Sequence, residues 1–522
     1  MARGRLSRPA GALLVMGVLI AAASLGELWL TPPSPAVAGP VPQAVPESGV
    51  WYCPGAAIGA GTAAVTVAAI GEEPAEITVT RYGAPAGDEP AASDHAPSSD
   101  ESGEQLTVSP GEQAEVVLEG PDASAAVAVH WRGGPAVATW RVQGVPTSRA
   151  ICQPASSQTW VMTGFDTAAH SRSHLRLFNP FSEDAVVSIS FGTQDGLEQM
   201  RISESVPVPA GSVTTLDLNE YQPEREDLAA LVTVRAGRVV AQGLLAPAPI
   251  PEGQLPHGLV ALTAAGGPSN EWSFAFAAAA PGQSSWLSVF NPSERDADVE
   301  VQVSDPLPEG SALLDERSIP AGTVLRIPLS EVSATPQFGV SLQVLNDAPV
   351  VVTRFASLES GSVGASLGAA AAADSWTVTG AVASALSIYN PSGETVTATV
   401  AVRGAPQEWS AIRLLANQRI WIDLAEAGGD WEYPVIVDAD RPVVAGMHAG
   451  PAEIDSAMWV LEGIPGPMWA GSGLRPSVRR DPLLATVARN WSAAGVLPPE
   501  VSPTAAPAVE PDTTPTPTPT GS

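Results

Sequence analysis

The sequence predicts an all-β protein: tandem immunoglobulin-like β-sandwich repeats behind an N-terminal transmembrane helix. Three observations predict it. Short motifs recur at intervals of about one hundred residues. Residues 298–303, 324–329 and 395–402 alternate apolar and polar side chains, the period of a strand with one buried face. Glycine (48) and proline (51) are abundant, as turns between short strands require.

The chain begins with Arg3, Arg5 and Arg8, followed by an apolar run over residues 10–30 interrupted by Glu27. At ~1.5 Å per residue such a run reaches roughly 31 Å, about one hydrocarbon thickness. Positive charge before the span puts the N-terminus in the cytoplasm and the C-terminus outside. The expectation is therefore a single-pass protein of the cytoplasmic membrane. The alternative is secretion after cleavage near Ala38, because Ala36-Val37-Ala38 fits a signal-peptidase site. Residues 1–38 are read as cytoplasmic tip, signal-anchor or signal peptide, and linker.

Four β domains follow, at 39–150, 151–265, 266–370 and 371–465. Each opens on a tryptophan: Trp51, Trp160, Trp272 and Trp376. A large aromatic on an early strand is a core anchor. Trp51, Trp160 and Trp376 read W-x-x-x-G, whereas Trp272 has Phe276 at the glycine position. Next comes a strand ending in Asn-Pro: Asn179-Pro180, Asn291-Pro292 and Asn390-Pro391. Turn chemistry accounts for both residues, the amide capping the strand end and the proline starting the turn. A glycan contact by the three amides is the weaker reading. The first copy has Ala69-Ile70 there.

A third landmark contains Gly211, Gly322 and, in the fourth copy, Asn417. Glycine and asparagine enter a left-handed turn most readily, which explains the exchange. Late hairpins complete each copy, giving about seven strands and the immunoglobulin-like pattern. A β-propeller is the alternative, with two four-stranded blades per copy. Residues 83–104 read as a disordered acidic insertion in the first domain, 466–497 as a partial fifth repeat opening on Trp469 with a short helix, and 498–522 as a disordered Pro/Thr-rich tail.

In these motifs the chain resembles an uncharacterised actinobacterial family of exported or membrane-anchored proteins, a domain-of-unknown-function family with W-x-x-x-G, N-P and P-A-G repeats of about 100 residues. The resemblance covers about residues 51–469. It implies no assigned activity and no catalytic residues. Members tend to be encoded beside a glycosyltransferase, which points toward envelope polysaccharide.

Charge and residue usage narrow the function. With 25 basic and 55 acidic side chains the net charge is −30, and every basic residue except the six histidines is arginine. Lysine-dependent phosphate, Schiff-base and acylation chemistry is excluded, and no basic face is expected for nucleic acid. Cys53 and Cys152, the only cysteines, are read as a disulfide in an oxidising compartment. No catalytic, cofactor or metal site is expected. Gly364-Ala365-Ser366-Leu367-Gly368 matches G-x-S-x-G but lacks the strand-to-helix context that motif needs. His170 and His174 have ligand spacing only if helical, in a segment that leads into a strand.

The functional expectation is a non-enzymatic cell-envelope protein. It presents its β domains outside the membrane as an interaction or spacer module, with envelope glycan or envelope proteins as partners. The alternative is an accessory factor, or a hydrolase or transferase, acting on envelope polysaccharide from a deep acidic cleft with paired carboxylates.

Overall fold

The computed structural model describes residues 47–466, apart from 56–61, 84–102, 120–122, 144–147, 170, 247–258, 305–312, 334–335, 359–361, 381–383, 403–407, 425–432 and 450–459. The expected membrane span, the cleavage site, most of the acidic insertion, Trp469, the short helix and the Pro/Thr tail lie outside the described residues. Among the described residues no helix is long and apolar enough to cross a membrane. The protein is nearly all β, built of small antiparallel sheets, none closed on itself.

The third copy shows the plan. Its strands are Glu271–Ala278, Gln283–Phe290, Ala297–Val303, Leu313–Ile319, Val324–Pro328, Gln337–Val344, Val351–Leu358 and Val363–Leu367. One sheet orders them first–sixth–third–fourth and the other fifth–second–seventh–eighth. The other three copies repeat that order. They run from Ser48–Cys53 to Ser148–Ile151, from Thr159–Phe165 to Val260–Thr263, and from Ala373–Val378 to Val460–Glu462. In the fourth copy the sixth and seventh positions are one continuous strand, Val435–Ala449, which serves both sheets.

Each copy thus holds eight strand positions rather than seven. Two four-stranded sheets occur per copy, but their strands interleave instead of meandering consecutively as in a propeller blade. The second–fifth and third–sixth pairings coincide with those of an immunoglobulin domain. The order departs from it where the first strand pairs the sixth and the seventh pairs the second.

The landmarks hold each copy's two sheets together. Each tryptophan sits on the first strand and donates its indole N–H to the carbonyl at the start of the seventh, in the opposite sheet. Trp51 bonds Ala136 at 2.8 Å, Trp160 bonds Val239 at 3.0 Å, Trp272 bonds Val350 at 2.8 Å and Trp376 bonds Val443 at 2.8 Å. The asparagines end the second strands, wholly buried. Asn291 Nδ2 donates to the carbonyls of Arg295 (2.7 Å) and Ile319 (3.0 Å), and its Oδ1 accepts from the Ser293 N–H (3.0 Å). Asn179 and Asn390 repeat this pattern on Glu183 and Glu394, and Pro180, Pro292 and Pro391 follow at the turn. The amides are buried and bonded to backbone and neighbouring serine groups within their own copy. Gly111, Gly211, Gly322 and Asn417 all adopt positive φ (75°, 62°, 73° and 54°) in the turn before the fifth strand.

After each eighth strand the chain pairs back to the first strand beside the tryptophan: Gln153 with Tyr52, Ala265 with Val161, Ala369 with Ser273, and Ile464 with Thr377. In the first copy this closure is also covalent, through the Cys53–Cys152 disulfide. The equivalent pairs elsewhere are Met162 with Ala264, Phe274 with Gly368, and Val378 with Gly463, which are apolar or glycine contacts.

The four segments read as separate domains belong to one compact unit. The sheet carrying the first strand of each copy packs on the second-strand sheet of the next. Tyr52 meets Phe178 at 6.3 Å, the Thr163 and Ser288 hydroxyls lie 2.7 Å apart, and Tyr389 lies 3.4 Å from Ser341. The fourth copy then meets the first: the Thr139 and Thr379 hydroxyls lie 2.6 Å apart, and Arg149 donates to the Gly380 carbonyl at 2.6 Å. The eighth strands touch in the same cyclic order, Ser148–Ile151 to Val260–Thr263 to Val363–Leu367 to Val460–Glu462 and back. Four copies therefore form a closed ring with the eighth strands at its axis. This explains why second strands such as Ser384–Tyr389 are buried throughout while third strands such as Val396–Val402 alternate. The former lie between two copies, and the latter face solvent on one side.

Replacing Trp272 with Phe removes one of the two hydrogen bonds to the Val350 carbonyl, which keeps the Ser269 N–H at 2.9 Å, and should cost about 0.5–1.5 kcal/mol in denaturant unfolding. Ring closure predicts one calorimetric transition for the four copies. Deleting the fourth should destabilise the other three rather than leave them unchanged.

Candidate functional site

The ring axis contains a cavity of about 470 Å³ lined by residues from all four copies. Four of them occupy equivalent places on the eighth strands, as shown by their register against the seventh: Ile151 faces Thr139, Thr263 faces Gln242, Leu367 faces Thr353 and Glu462 faces Gly446. Three copies thus give the axis neutral side chains, and the fourth gives it a carboxylate that is only 5% exposed. Gly446 makes this possible, since a Cβ there would stand 2.6 Å from Glu462 Oε2.

Other departures from the repeat gather at the same seam between the third and fourth copies. Arg354 stands where its equivalents are Trp140, Gly243 and Met447, and Ser366 where they are Ala150, Leu262 and Leu461. Arg354 Nη2 donates to Ser366 Oγ at 2.6 Å and pairs with Glu462 Oε1 at 3.3 Å, and Ser366 donates to the same oxygen at 3.3 Å. Glu462 Oε2 accepts the Ala275 N–H at 3.4 Å. Arg354 is 1% exposed and lies over the Phe274 and Phe276 rings.

Beyond Phe276 the cluster continues. His448 stacks on that ring at 3.8 Å, and its Nε2 lies 3.1 Å from Ser387 Oγ and 3.4 Å from Arg419 Nη2. Phe276 is the residue that replaces the W-x-x-x-G glycine, so the one departure from that motif forms the stack at this seam.

Burial dominates the electrostatics here. It pushes the Glu462 carboxyl up, with Arg354 opposing, and lowers Arg354 to about 10. Burial, and then the Arg354 charge, lower Arg419 to about 9. Burial and the neighbouring Arg419 hold His448 well below the usual imidazole value. Two arginines and one glutamate in a low-dielectric seam are costly unless hydrogen-bonded, which makes the cluster a deliberate departure from an apolar core.

A second opening of about 530 Å³ lies between the same two copies and bears Glu271, Glu300, Glu394 and Arg441. Glu394 and Arg441 form an ion pair. Glu271 and Glu300 stand opposite Gln343 on the two strands flanking it, about 10 Å apart at the backbone. Ala369, Ala371 and Ala372 border both openings.

Of the landmarks, only Trp272 and Trp376 also line the axial cavity. The Asn-Pro and glycine positions and Cys53 do not line it, Cys152 lies between Ile151 and Gln153, which do, and Pro391 borders the second opening. Ser366 of the G-x-S-x-G match lies on a strand and bonds Arg354 and Glu462, and among the described residues no imidazole bonds it. His174 lies on a strand rather than a helix, and His170 lies outside the described residues. Arg354 and Glu462 escape the sequence motifs because the late hairpin of the third copy is recognisable only as far as Thr353, short of Arg354 and of the eighth strand. Extending the comparison one strand further sets Glu462 against Ile151, Thr263 and Leu367.

His448 makes stability pH-dependent. Its folded value lies below the unfolded 6.5, so protons favour the unfolded chain. This contribution is complete above pH 6.5 and is lost as pH falls below it, by at most about 1.4 kcal/mol per pH unit. Denaturant midpoints between pH 7.5 and 5 should fall less steeply in His448→Phe, which installs the residue that the third copy has at the equivalent Phe355.

No curated protein matches this chain. Among solved structures, one described as the crystal structure of Thermotoga maritima 1070 is 12% identical, with a TM-score of 0.18. That match covers 20% of this chain and 94% of the other. The sequence model of DUF5719, a family of unknown function, matches residues 141–408. That match spans just over half of the chain, from the end of the first copy through all of the second and third to the start of the fourth, and this protein belongs to the DUF5719 family.

Proposed function

We propose that the protein is a non-enzymatic cell-envelope module. It is anchored in the cytoplasmic membrane by residues 10–30 and displays four β-sandwich copies, immunoglobulin-like in two of their core pairings, on the outer side. Its role is binding rather than spacing, and envelope protein or glycan is the partner class. The observation that carries this reading is the axial cavity lined by all four copies. A stalk gains from copies laid end to end, whereas contact between the fourth copy and the first brings the ends of the array together. The disulfide supports an oxidising compartment.

A polysaccharide hydrolase is the second reading. It is favoured by Glu271 and Glu300 in the opening between the third and fourth copies. Glu271 is exposed at that site, which leaves it open to solvent.

Fractionation with mass spectrometry should find the protein in the membrane fraction with its N-terminal segment retained; a first residue of Gly39 would replace the anchor by secretion. Pull-down from envelope extracts should recover a partner that a ring-opened variant lacking one copy does not. Turnover of envelope glycan that disappears in Glu271→Gln/Glu300→Gln would overturn the non-enzymatic reading.

A further inference from the structure

We infer that the axial cavity takes the hydrocarbon chain of a lipid, acyl or isoprenoid, with the polar head group left outside in water. This names a ligand class for the binding role proposed above, on which it rests.

Among the described lining residues the polar side chains are already engaged with the protein. Arg149 donates to the Gly380 carbonyl and Gln153 to the Ala264 carbonyl. The Trp272 and Trp376 indoles donate to the carbonyls of Val350 and Val443, so only their carbon faces are left for the cavity. Ser366 and Glu462 are drawn into the seam by Arg354. The remaining polar residue, Thr263, carries a methyl group beside its hydroxyl. A charged or sugar-like ligand would lose its water here without gaining new partners, whereas a hydrocarbon gains by leaving water. Water itself is poorly held by such a lining, since it too needs several polar partners.

Small residues keep the chamber open. Ile151, Thr263 and Leu367 hold the same register, and from each of them a link runs without a gap to the next tryptophan, Trp160, Trp272 or Trp376. The first link carries Gln153, Pro154, Ser156 and Ser157. In the third the same stretch, residues 368–373, is one glycine followed by five alanines, all on the cavity wall. Residues 264–267 of the second, Ala-Ala-Gly-Gly, line it as well. Side chains cut back to Cβ on two walls leave space that Ile151, Leu367, Leu461 and Pro465 border with carbon. A volume of about 470 Å³ lies in the range of small-molecule sites. Gly266, Ala370 and Ala371 are exposed, so the chamber opens to water there. An open mouth and a wall without free charge fit an amphiphile, whose tail is buried and whose head needs no partner from the protein. A protein at the outer face of a membrane, as proposed above, meets such molecules.

The test is photolabelling of the full chain, with phosphatidylcholine vesicles, by the methyl ester of a diazirine-bearing palmitic acid, mapped by peptide mass spectrometry. Label should concentrate at residues 367–373 and 461–465, at least fivefold above Leu314 and Ile202, exposed apolar side chains that do not line the cavity. Excess methyl palmitate should protect those residues if the site takes an acyl chain, and excess farnesol if it takes an isoprenoid one. Ala371 is exposed at the cavity border, so Ala371→Trp should keep the thermal midpoint and lower the cavity label at least fivefold. Ala370→Asp should lower it by charge, whereas Ala370→Leu should retain it. Label no higher at the cavity than at Leu314 and Ile202, protection by neither competitor, or unchanged label in Ala371→Trp would each overturn the inference. Residues 10–30 report separately on the anchor. Cavity label with none at those residues would overturn the membrane anchor and leave this site standing, and label at those residues alone would do the reverse.

Discussion

The bond from a first-strand indole to a seventh-strand carbonyl is the constraint on which each copy depends. It reinforces a short backbone bridge between the two sheets, seen at Ser157 and Val239, Ser269 and Val350, and Ala373 and Val443. An arrangement of the first strand that broke this bond would bury an indole N–H without a partner, which costs more than a made bond returns. With the tryptophan in place, the first strand must lie beside the sixth, and the residue after the eighth strand can pair back to it. The repeated order of eight strands follows from that pin, the buried asparagine and the left-handed turn acting together.

Ring closure imposes a second demand, because sheets of neighbouring copies must fit face to face. Glycines supply the depressions and side chains of the next copy fill them. A Cβ at Gly192 would collide with the Phe290 ring, one at Gly339 with Tyr389, and one at Gly164 with Phe355. These glycines are contact surfaces as much as turn residues, and dense packing leaves them little room to vary. The seam between the third and fourth copies, which includes Gly339 against Tyr389, adds a polar cluster to this packing. There Phe276 fills the W-x-x-x-G glycine position and stacks on His448, Arg354 pairs with Glu462 and Ser366, and Arg419 bonds Ser387, while the Nε and Nη1 of Arg354 stay without a hydrogen-bond partner.

Much of this was legible in the residues. Trp51, Trp160, Trp272 and Trp376 marked four copies because an indole is too large to recur by accident at a core position. Gly211, Gly322 and Asn417 marked one turn because only residues tolerant of positive φ exchange there. Cys53 and Cys152 could be paired because no other cysteine competes. The eighth strand was missed because it is short and its apolar run merges into the Gly/Ala-rich link to the next copy, as in residues 363–373. Glu462 was missed with it. The copies' sheet order could not be read either, since a strand with both faces buried has no alternation to say which neighbours cover it.

The sequence by itself determined an all-β chain of four related copies, the residues that pin each copy, the disulfide and the acidic, lysine-free surface. These are local properties, set by side-chain period, turn stereochemistry and composition. Only the tertiary structure decided that the copies close into a ring and that Arg354, Ser366 and Glu462 meet at its axis. Closure joins residues such as Thr139 and Thr379, 240 positions apart, through shape and hydrogen bonding between faces. No periodicity along the chain encodes which copy will lie against the first.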